Sequence, residues 1–266
     1  MLFRSIATND PTVEFKNLSL TEEDIPALRA ALGIMTGCEA FILDSCGLSS
    51  ETLAEIRAEF PRTELVWKIQ FGKYSAWTNT DTIRAVYNVF DDTCGNLKYC
   101  WKVKYMDIGH NETLTDLSFV GYMPDLEILI ASGCAVKQLP EGIGNCKKLE
   151  FLELAYCYKL ESVDPLAGCE GLKNLNICYS KVSDLKALDG LPLEQFMCKQ
   201  TRVPAAEQQI FKDIHPNCVT NFYGKEPYAG AGWRYVDNGK TYTEIYKKVR
   251  EVFGYDDMPM PTVAKK

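Results

Sequence analysis

Between residues 103 and 201 the chain repeats one pattern five times: apolar-x-x-apolar-x-apolar-x-x, closed by a small polar residue. The first unit carries Val103, Met106, Ile108 and Asn111, and the second Leu126, Leu129, Ala131 and Cys134. Leu149, Leu152, Leu154 and Cys157 follow, then Leu172, Leu175, Ile177 and Ser180, and finally Leu193, Phe196, Cys198 and Thr201. The starts run 103, 126, 149, 172 and 193, which are steps of 23, 23, 23 and 21 residues. A fixed period of this size specifies a stack of similar units, because no single unit can bury its apolar face alone.

The period and pattern are those of a leucine-rich repeat. Each L-x-L segment is then a short strand with its leucines turned into the stack and the alternate side chains facing out. The ninth position turns the chain out of the strand, where a small polar side chain can satisfy backbone groups inside the turn. Asn111 does this best, and Cys134, Cys157, Ser180 and Thr201 are its smaller substitutes. Further apolar pairs occupy the second half of each unit: Leu117 and Val120, Leu139 and Ile143, Val163 and Leu166, Leu185 and Leu188. Pro124, Pro140, Pro165 and Pro192 mark the intervening turns. The expected fold class is therefore α/β: a leucine-rich-repeat solenoid with a curved parallel sheet on its concave face and helical N- and C-terminal caps.

Outside the repeats, Thr21 to Asp24 reads as a capping box before Ile25, Leu28 and Leu32 at helical spacing. Cys38 to Cys46 reads as another repeat strand. Ser50 opens a second helix with Leu53, Ile56 and Phe60 that Pro61 ends, and Leu65 to Phe71 is a strand. Residues 1–71 are thus expected to be helix–strand units capping the solenoid, and 72–96 an insertion or loop. Residues 97–222 carry the repeats. Residues 223–266 hold a capping helix with Ile245, Val249, Val252 and Phe253, and a loose tail from about Asp256. A short helix is expected from Pro204 to Ile214, and a last strand from Cys218 to Phe222.

Composition removes several functional classes. The net charge of -7 disfavours a non-specific grip on nucleic acid, which needs clustered lysine and arginine. No apolar stretch approaches the roughly 18 residues that cross a bilayer. The eleven cysteines are odd in number, form no CxxC, and several recur at one place in the repeat. That is the distribution of buried free thiols in a reducing compartment rather than of a disulfide framework. The N-terminus lacks the apolar region of a secretory leader, so the expected location is cytoplasmic, or surface-attached if a leader has been trimmed. His110 and His215 are the only histidines, far apart, without metal-ligand spacing or a nucleophile partner. The stretch from Gly142 to Lys147 lacks the spacing of a phosphate-binding loop. No catalytic residue, metal or cofactor is expected.

The strings LVWKIQFGKYSAWTNTD, LKYC, MDIGHN, LTDLSF and LNICYSKVSDLKAL, with the late GWRY, resemble leucine-rich-repeat proteins common in gut Firmicutes. The resemblance spans most of residues 36–253. Its short bacterial turn is matched at Leu114 to Leu117 and Val182 to Leu185. The unit from Leu139 to Cys146 departs towards a helical convex turn, and Ala76 to Thr78 replaces an arginine-containing motif. The family carries no established catalytic residues, so the resemblance implies none here.

The outward concave positions form the candidate site: Tyr105, Asp107, Ile128, Ile130, Phe151, Glu153, Asn176 and Met197, with Tyr156 and Tyr179 just after the strands. An open sheet face normally alternates with polar residues, whereas this one is apolar and aromatic. Two readings follow. In the leading one the patch binds a protein partner, with no nucleic acid and no membrane span involved. In the other, residues 72–96 or 223–240 fold over the patch and make it core. At the level of function the expectation is a non-enzymatic protein-recognition scaffold. A structural or accessory module of a larger or surface-associated protein, or a repeat-bearing effector enzyme, are the alternatives.

Overall fold

The computed structural model describes residues 10–228, 232–236 and 241–255. The expected loose tail from Asp256 lies outside the described residues. The chain forms two compact units, one of residues 1–70 with 75–79 and one of residues 71–74 with 80–266.

In the first unit, strands β1 (Thr12–Lys16), β2 (Ala40–Asp44) and β3 (Glu64–Phe71) run parallel in that order, followed by β4 (Tyr74–Trp77). Helices α1 (Ile25–Ile34) and α2 (Ser50–Glu59) make the crossovers. The Thr21 capping box is present, with the Thr21 amide donating to Asp24 Oδ2 at 2.9 Å. The second helix is capped by Ser49, not Ser50: its Oγ accepts from the Thr52 amide at 3.1 Å. Leu28 and Leu32 from α1, Leu53 and Ile56 from α2, and Phe41, Leu43 and Leu65 from the strands are fully buried. Strand β1, which the sequence pattern did not suggest, adds Val13 to this core.

The second unit is built on one seven-stranded parallel sheet. Its strands are β5 (Thr82–Arg84), β6 (Tyr105–Asp107), β7 (Ile128–Ile130), β8 (Phe151–Glu153), β9 (Asn174–Asn176), β10 (Gln195–Met197) and β11 (Val219–Asn221). The register passes from Tyr105 to Ile128, Phe151, Asn174 and Gln195, so the period in the sequence is the step of the sheet. A single turn, α3 (Asp91–Cys94), and a series of 3-10 turns form the opposite side, where Val120, Ile143, Leu166 and Leu188 are buried. Helix α4 (Ala205–Ile214) closes the end of the stack, its Phe211 ring 4.8 Å from Phe196 and 6.2 Å from Phe222.

The stretch expected to be an insertion, 72–96, supplies a full repeat turn. Ile83 and Ala85 take the inward places of a strand, while Asn88 is exposed and Val89 is buried after it. Ala85 and Thr80 hid this unit, because neither reads as the leucine the pattern calls for. At Gly72 the backbone is left-handed (φ +56°), and a Cβ there would lie 1.9 Å from the Asn88 carbonyl oxygen, so only glycine fits.

The turn position behaves as its chemistry predicts. Asn111 Nδ2 donates to the Ala85 and Ile108 carbonyls at 3.0 and 2.7 Å, and its Oδ1 accepts from the Val89 amide at 2.8 Å. Cys134 and Cys157 keep one of these bonds, each Sγ donating to the Ile108 or Ala131 carbonyl at 3.3 Å. A second cysteine ladder runs on the other side of the stack, where Cys146 and Cys169 bond the Val120 and Ile143 carbonyls at 3.3 Å. Burial pushes the Cys134 thiol up to about 12 and the Cys146 thiol up to about 11. All eleven cysteines are free and all but Cys218 are buried. An alkylating reagent at neutral pH is accordingly expected to label at most Cys218 in the folded protein and every thiol after denaturation, a contrast that intact-mass spectrometry reads directly.

Candidate functional site on the concave sheet

The outward side chains of the seven-stranded sheet do not face solvent. After β11 the chain turns back across the sheet with a short hairpin, β12 (Tyr235–Val236) and β13 (Thr241–Tyr242), and then helix α5 (Glu244–Val252). The Thr243 hydroxyl caps α5, accepting from the Tyr246 amide at 3.3 Å. Tyr246, Val249 and Phe253 form its buried face, and with Trp233 they share one core with Ile128, Ile130, Phe151, Ala155, Cys178 and Met197. The helix thus docks through its apolar stripe, as periodicity implies, but on the concave sheet and not at the end of the stack. Described residues 223–228, 232–236 and 241–255 act together as a strap.

Trp233 anchors it. Its ring stacks on Phe151 with centroids 4.9 Å apart, and it is fully buried. Its Nε1 donates to Glu153 Oε2 at 2.6 Å, while Arg234 Nη2 reaches Glu153 Oε1 at 2.8 Å and Ser132 Oγ reaches the same oxygen at 3.1 Å. A carboxylate at 0% exposure is tolerable only with this number of donors. Arg234 also lies over the Tyr228 ring at 3.6 Å. Burial works against its charge, but Glu153 outweighs that and holds the guanidinium more firmly protonated than usual.

Polar contacts hold the strap along the sheet. Asn176 Nδ2 donates to the Pro227 carbonyl at 3.0 Å and Tyr179 Oη to the Lys225 carbonyl at 2.7 Å. Gln195 Nε2 reaches the Gly232 carbonyl at 3.1 Å. From α5, Lys248 bridges Glu127 and Glu150 at 2.8 and 2.7 Å, above the Tyr105 ring. Arg84 Nη1 donates to the Phe253 carbonyl at 3.2 Å, and the Tyr255 hydroxyl bonds Asp107.

The expectation of an open apolar face is therefore corrected residue by residue. Ile128, Phe151, Glu153, Asn176 and Met197 are fully buried, and Asp107 and Ile130 nearly so. Tyr105 is half-buried beneath Lys248. The physical reason is the surface itself: a contiguous apolar sheet face is costly in water, and this chain carries its own complement. Tyr156 and Tyr179 are half-exposed as well. The two residues that matter most in the strap, Trp233 and Arg234, stand in the late GWRY string, where a tryptophan beside an arginine in a glycine-rich stretch was the available signal.

The accessible ground lies along the edge of the strap. The third residue past each of β5 to β10 has a left-handed backbone: Tyr87 (φ 68°), His110 (58°), Gly133 (76°), Tyr156 (63°), Tyr179 (61°) and Gln200 (57°). Its amide bonds the carbonyl of the next turn, as in His110 to Ser132 at 2.7 Å and Tyr156 to Cys178 at 2.8 Å. Glycine suits that conformation, while a bulky side chain there costs roughly 1 kcal/mol. Three of the six nevertheless are tyrosines. Tyr156 and Tyr179 stack at 5.0 Å, Tyr158 packs against both, and Tyr87 stacks on His110 at 5.4 Å. Tyr87 is 55% and Tyr158 61% exposed.

Between this row and α5 lies a cleft of about 500 Å³ whose lining includes Arg84, Tyr87, Asp107, His110, Arg234, Arg250 and Tyr255. A second of similar size, lined by His110, Glu112, Tyr156, Tyr158 and Lys159, adjoins it at His110. His215 is structural, its Nε2 3.1 Å from the Leu188 carbonyl and its ring 4.5 Å from Phe211. Among the described residues no group of three or more His, Cys, Asp or Glu is placed to hold a metal ion, and no helix is long and apolar enough to cross a membrane.

No family model matches the chain. A probable disease resistance protein of Arabidopsis thaliana is 32% identical over 87 residues, 32% of this chain and 11% of that protein. The disease resistance protein UNI of the same plant is 26% identical over 136 residues, 48% of this chain and 15% of that one. The chain therefore spans a small fraction of these relatives. Among solved structures, an internalin from Listeria monocytogenes is similar at a TM-score of 0.50 and 17% identity, over 76% of this chain and 54% of its own. A leucine-rich-repeat protein from Leptospira interrogans is similar at a TM-score of 0.50 and 17% identity, over 78% of this chain and 52% of its own. These likenesses show the fold: this is a leucine-rich-repeat solenoid.

Two outcomes test the strap. Trp233→Ala should destabilise the second unit by about 3–5 kcal/mol, and Glu153→Ala by a similar amount because it strands Arg234, both read from denaturant midpoints. Burial, opposed by the Gly109 amide and reinforced by Glu153, raises Asp107 to about 6. A carboxyl that binds its proton more tightly when folded favours the fold at low pH and loses that contribution as pH rises from about 4 through 6. Asp107→Asn should therefore flatten the stability profile across that window and gain on the order of 2 kcal/mol at pH 7.

Proposed function

We propose that this chain is a non-enzymatic protein-recognition module whose partner contacts the aromatic row beside the strap, and not the covered sheet face. One observation carries the reading: tyrosines occupy left-handed positions after the strands, although Gly133 shows that the turn is made without a side chain. Backbone strain maintained at successive equivalent sites, with no gain to the turn itself, points to a role for the side chains it presents. Tyrosine offers large, rigid contact area with a polar tip, which is why it anchors protein interfaces. Tyr87, His110, Tyr156, Tyr158 and Tyr179 lie along one edge of the strap, and the leucine-rich-repeat fold is typical of protein–protein interaction modules.

The concave residues first expected to touch a partner take a different part in this reading. Ile128, Ile130 and Phe151 hold the strap, and the strap sets one wall of the surface that the partner meets. The test is a photo-crosslinking amino acid placed at position 158, 87 or 128 in turn, with exposure to extract of the source cell. A discrete adduct from positions 158 and 87 and none from 128 is the expected outcome. An adduct from 128 alone shows that the strap leaves the sheet to admit the partner, and this reading then fails.

A further inference from the structure

From the cleft between Arg84 and α5 we infer a binding site for the carboxylate of an acidic polypeptide segment. The inference rests on the recognition reading above and adds the chemistry of what is recognised. Its first support is charge. The cleft is lined by Arg84, Arg234 and Arg250 against two carboxylates, Asp107 and Glu153, in a chain whose net charge is -7. Both carboxylates are already engaged: Glu153 takes Trp233, Arg234 and Ser132, and Asp107 takes the Gly109 amide at 2.8 Å and the Tyr255 hydroxyl.

Arg84, by contrast, gives one nitrogen to the Phe253 carbonyl and lays its guanidinium over the Tyr255 ring at 4.5 Å. A guanidinium carries five N–H donors in a planar fork, and a ring stacked on its face leaves the fork's edge for a carboxylate. Arg250 shares this lining and lies 4.4 Å over the Tyr242 ring. Inside, Arg234 is paired with Glu153 at 2.8 Å, and its buried Nε has no hydrogen-bond partner. The cleft thus presents oriented cations in an aromatic setting, conditions that strengthen attraction for an anion.

The second support is shape. The cleft meets its neighbour at His110, and the neighbour is walled by Tyr156, Tyr158 and Lys159. The two, each about 500 Å³, follow successive repeat turns beside the strap. An extended chain lying there sets an acidic group against Arg84 and Arg250, and other side chains against the tyrosines.

Fluorescence anisotropy on the full chain tests this with two labelled pentapeptide pools. In one, Asp or Glu alternates with Tyr or Leu; in the other, Asn or Gln replaces the acids. The acidic pool is expected to bind at least ten-fold tighter, with the preference weakening in high salt and lost in Arg84→Gln and Arg250→Gln. Arg250→Lys should retain part of it. Because Arg84 also touches the strap, a competition on the unmodified chain stands beside the variants: glutarate should displace the acidic pool and glutaramide should not. Equal binding of the two pools, displacement by glutaramide, or a phosphopeptide pool that outcompetes the acidic one overturns the inference. If position 158 still crosslinks a partner in that case, the recognition reading stands and only its carboxylate chemistry falls; if neither result appears, both fall.

Discussion

Everything in the second unit depends on closing the backbone hydrogen bonds of strands only three residues long. A three-residue strand contributes few bonds of its own, and the chain must leave and return in register every 23 residues. The left-handed residue after each strand does this by aiming its amide at the neighbouring turn, and the next side chain fills the space left inside. Asparagine satisfies three backbone groups there and cysteine one, so the substitution gives up hydrogen bonds and gains apolar burial. Two cysteine ladders on opposite sides of the stack are the visible result. The thiols are packing units, with ionisation suppressed by the same burial that makes them useful.

Much of this was legible because the physics is periodic. The spacing from Val103 to Leu193 located five strands and their facing, and the turn chemistry accounted for Cys134 and Cys157. What could not be read has identifiable causes. The unit at Ile83 uses alanine and threonine where the pattern relies on leucine, and three-residue strands are too short to signal otherwise. The Ser49 cap was displaced by one residue because Ser50 is chemically equivalent.

The candidate site was legible as a composition and illegible as an exposure. Periodicity identified Tyr105, Ile128, Ile130, Phe151 and Met197 as outward, but outward from a strand is not the same as open to water. Of the two candidate coverings, 72–96 and 223–240, the strap begins in the second. The acid at Glu153 was the better clue: a glutamate amid Ile130, Phe151 and Ala155 has to be neutralised, and Trp233 and Arg234 supply the donors from 80 residues away. The aromatic row escaped notice for another reason, since a positive φ is a property of the turn and leaves no mark on a leucine count.

The strap also changes the kind of object that the repeats make. A solenoid whose turns touch only their neighbours melts like a one-dimensional chain, each turn free to fray with little regard for distant ones. Here contacts reach from Phe253 to Arg84 across 169 residues and from Glu226 to Lys199 across 27. They tie first turns and late turns to one segment that follows all the repeats in sequence. Fraying at one end must loosen the segment that secures the other, so the array behaves as a closed body in which turns separate together or not at all. Such closure delays completion of this unit until residues 232–255 are in place, and a surface resting on the strap's edge then exists only once the strap has docked.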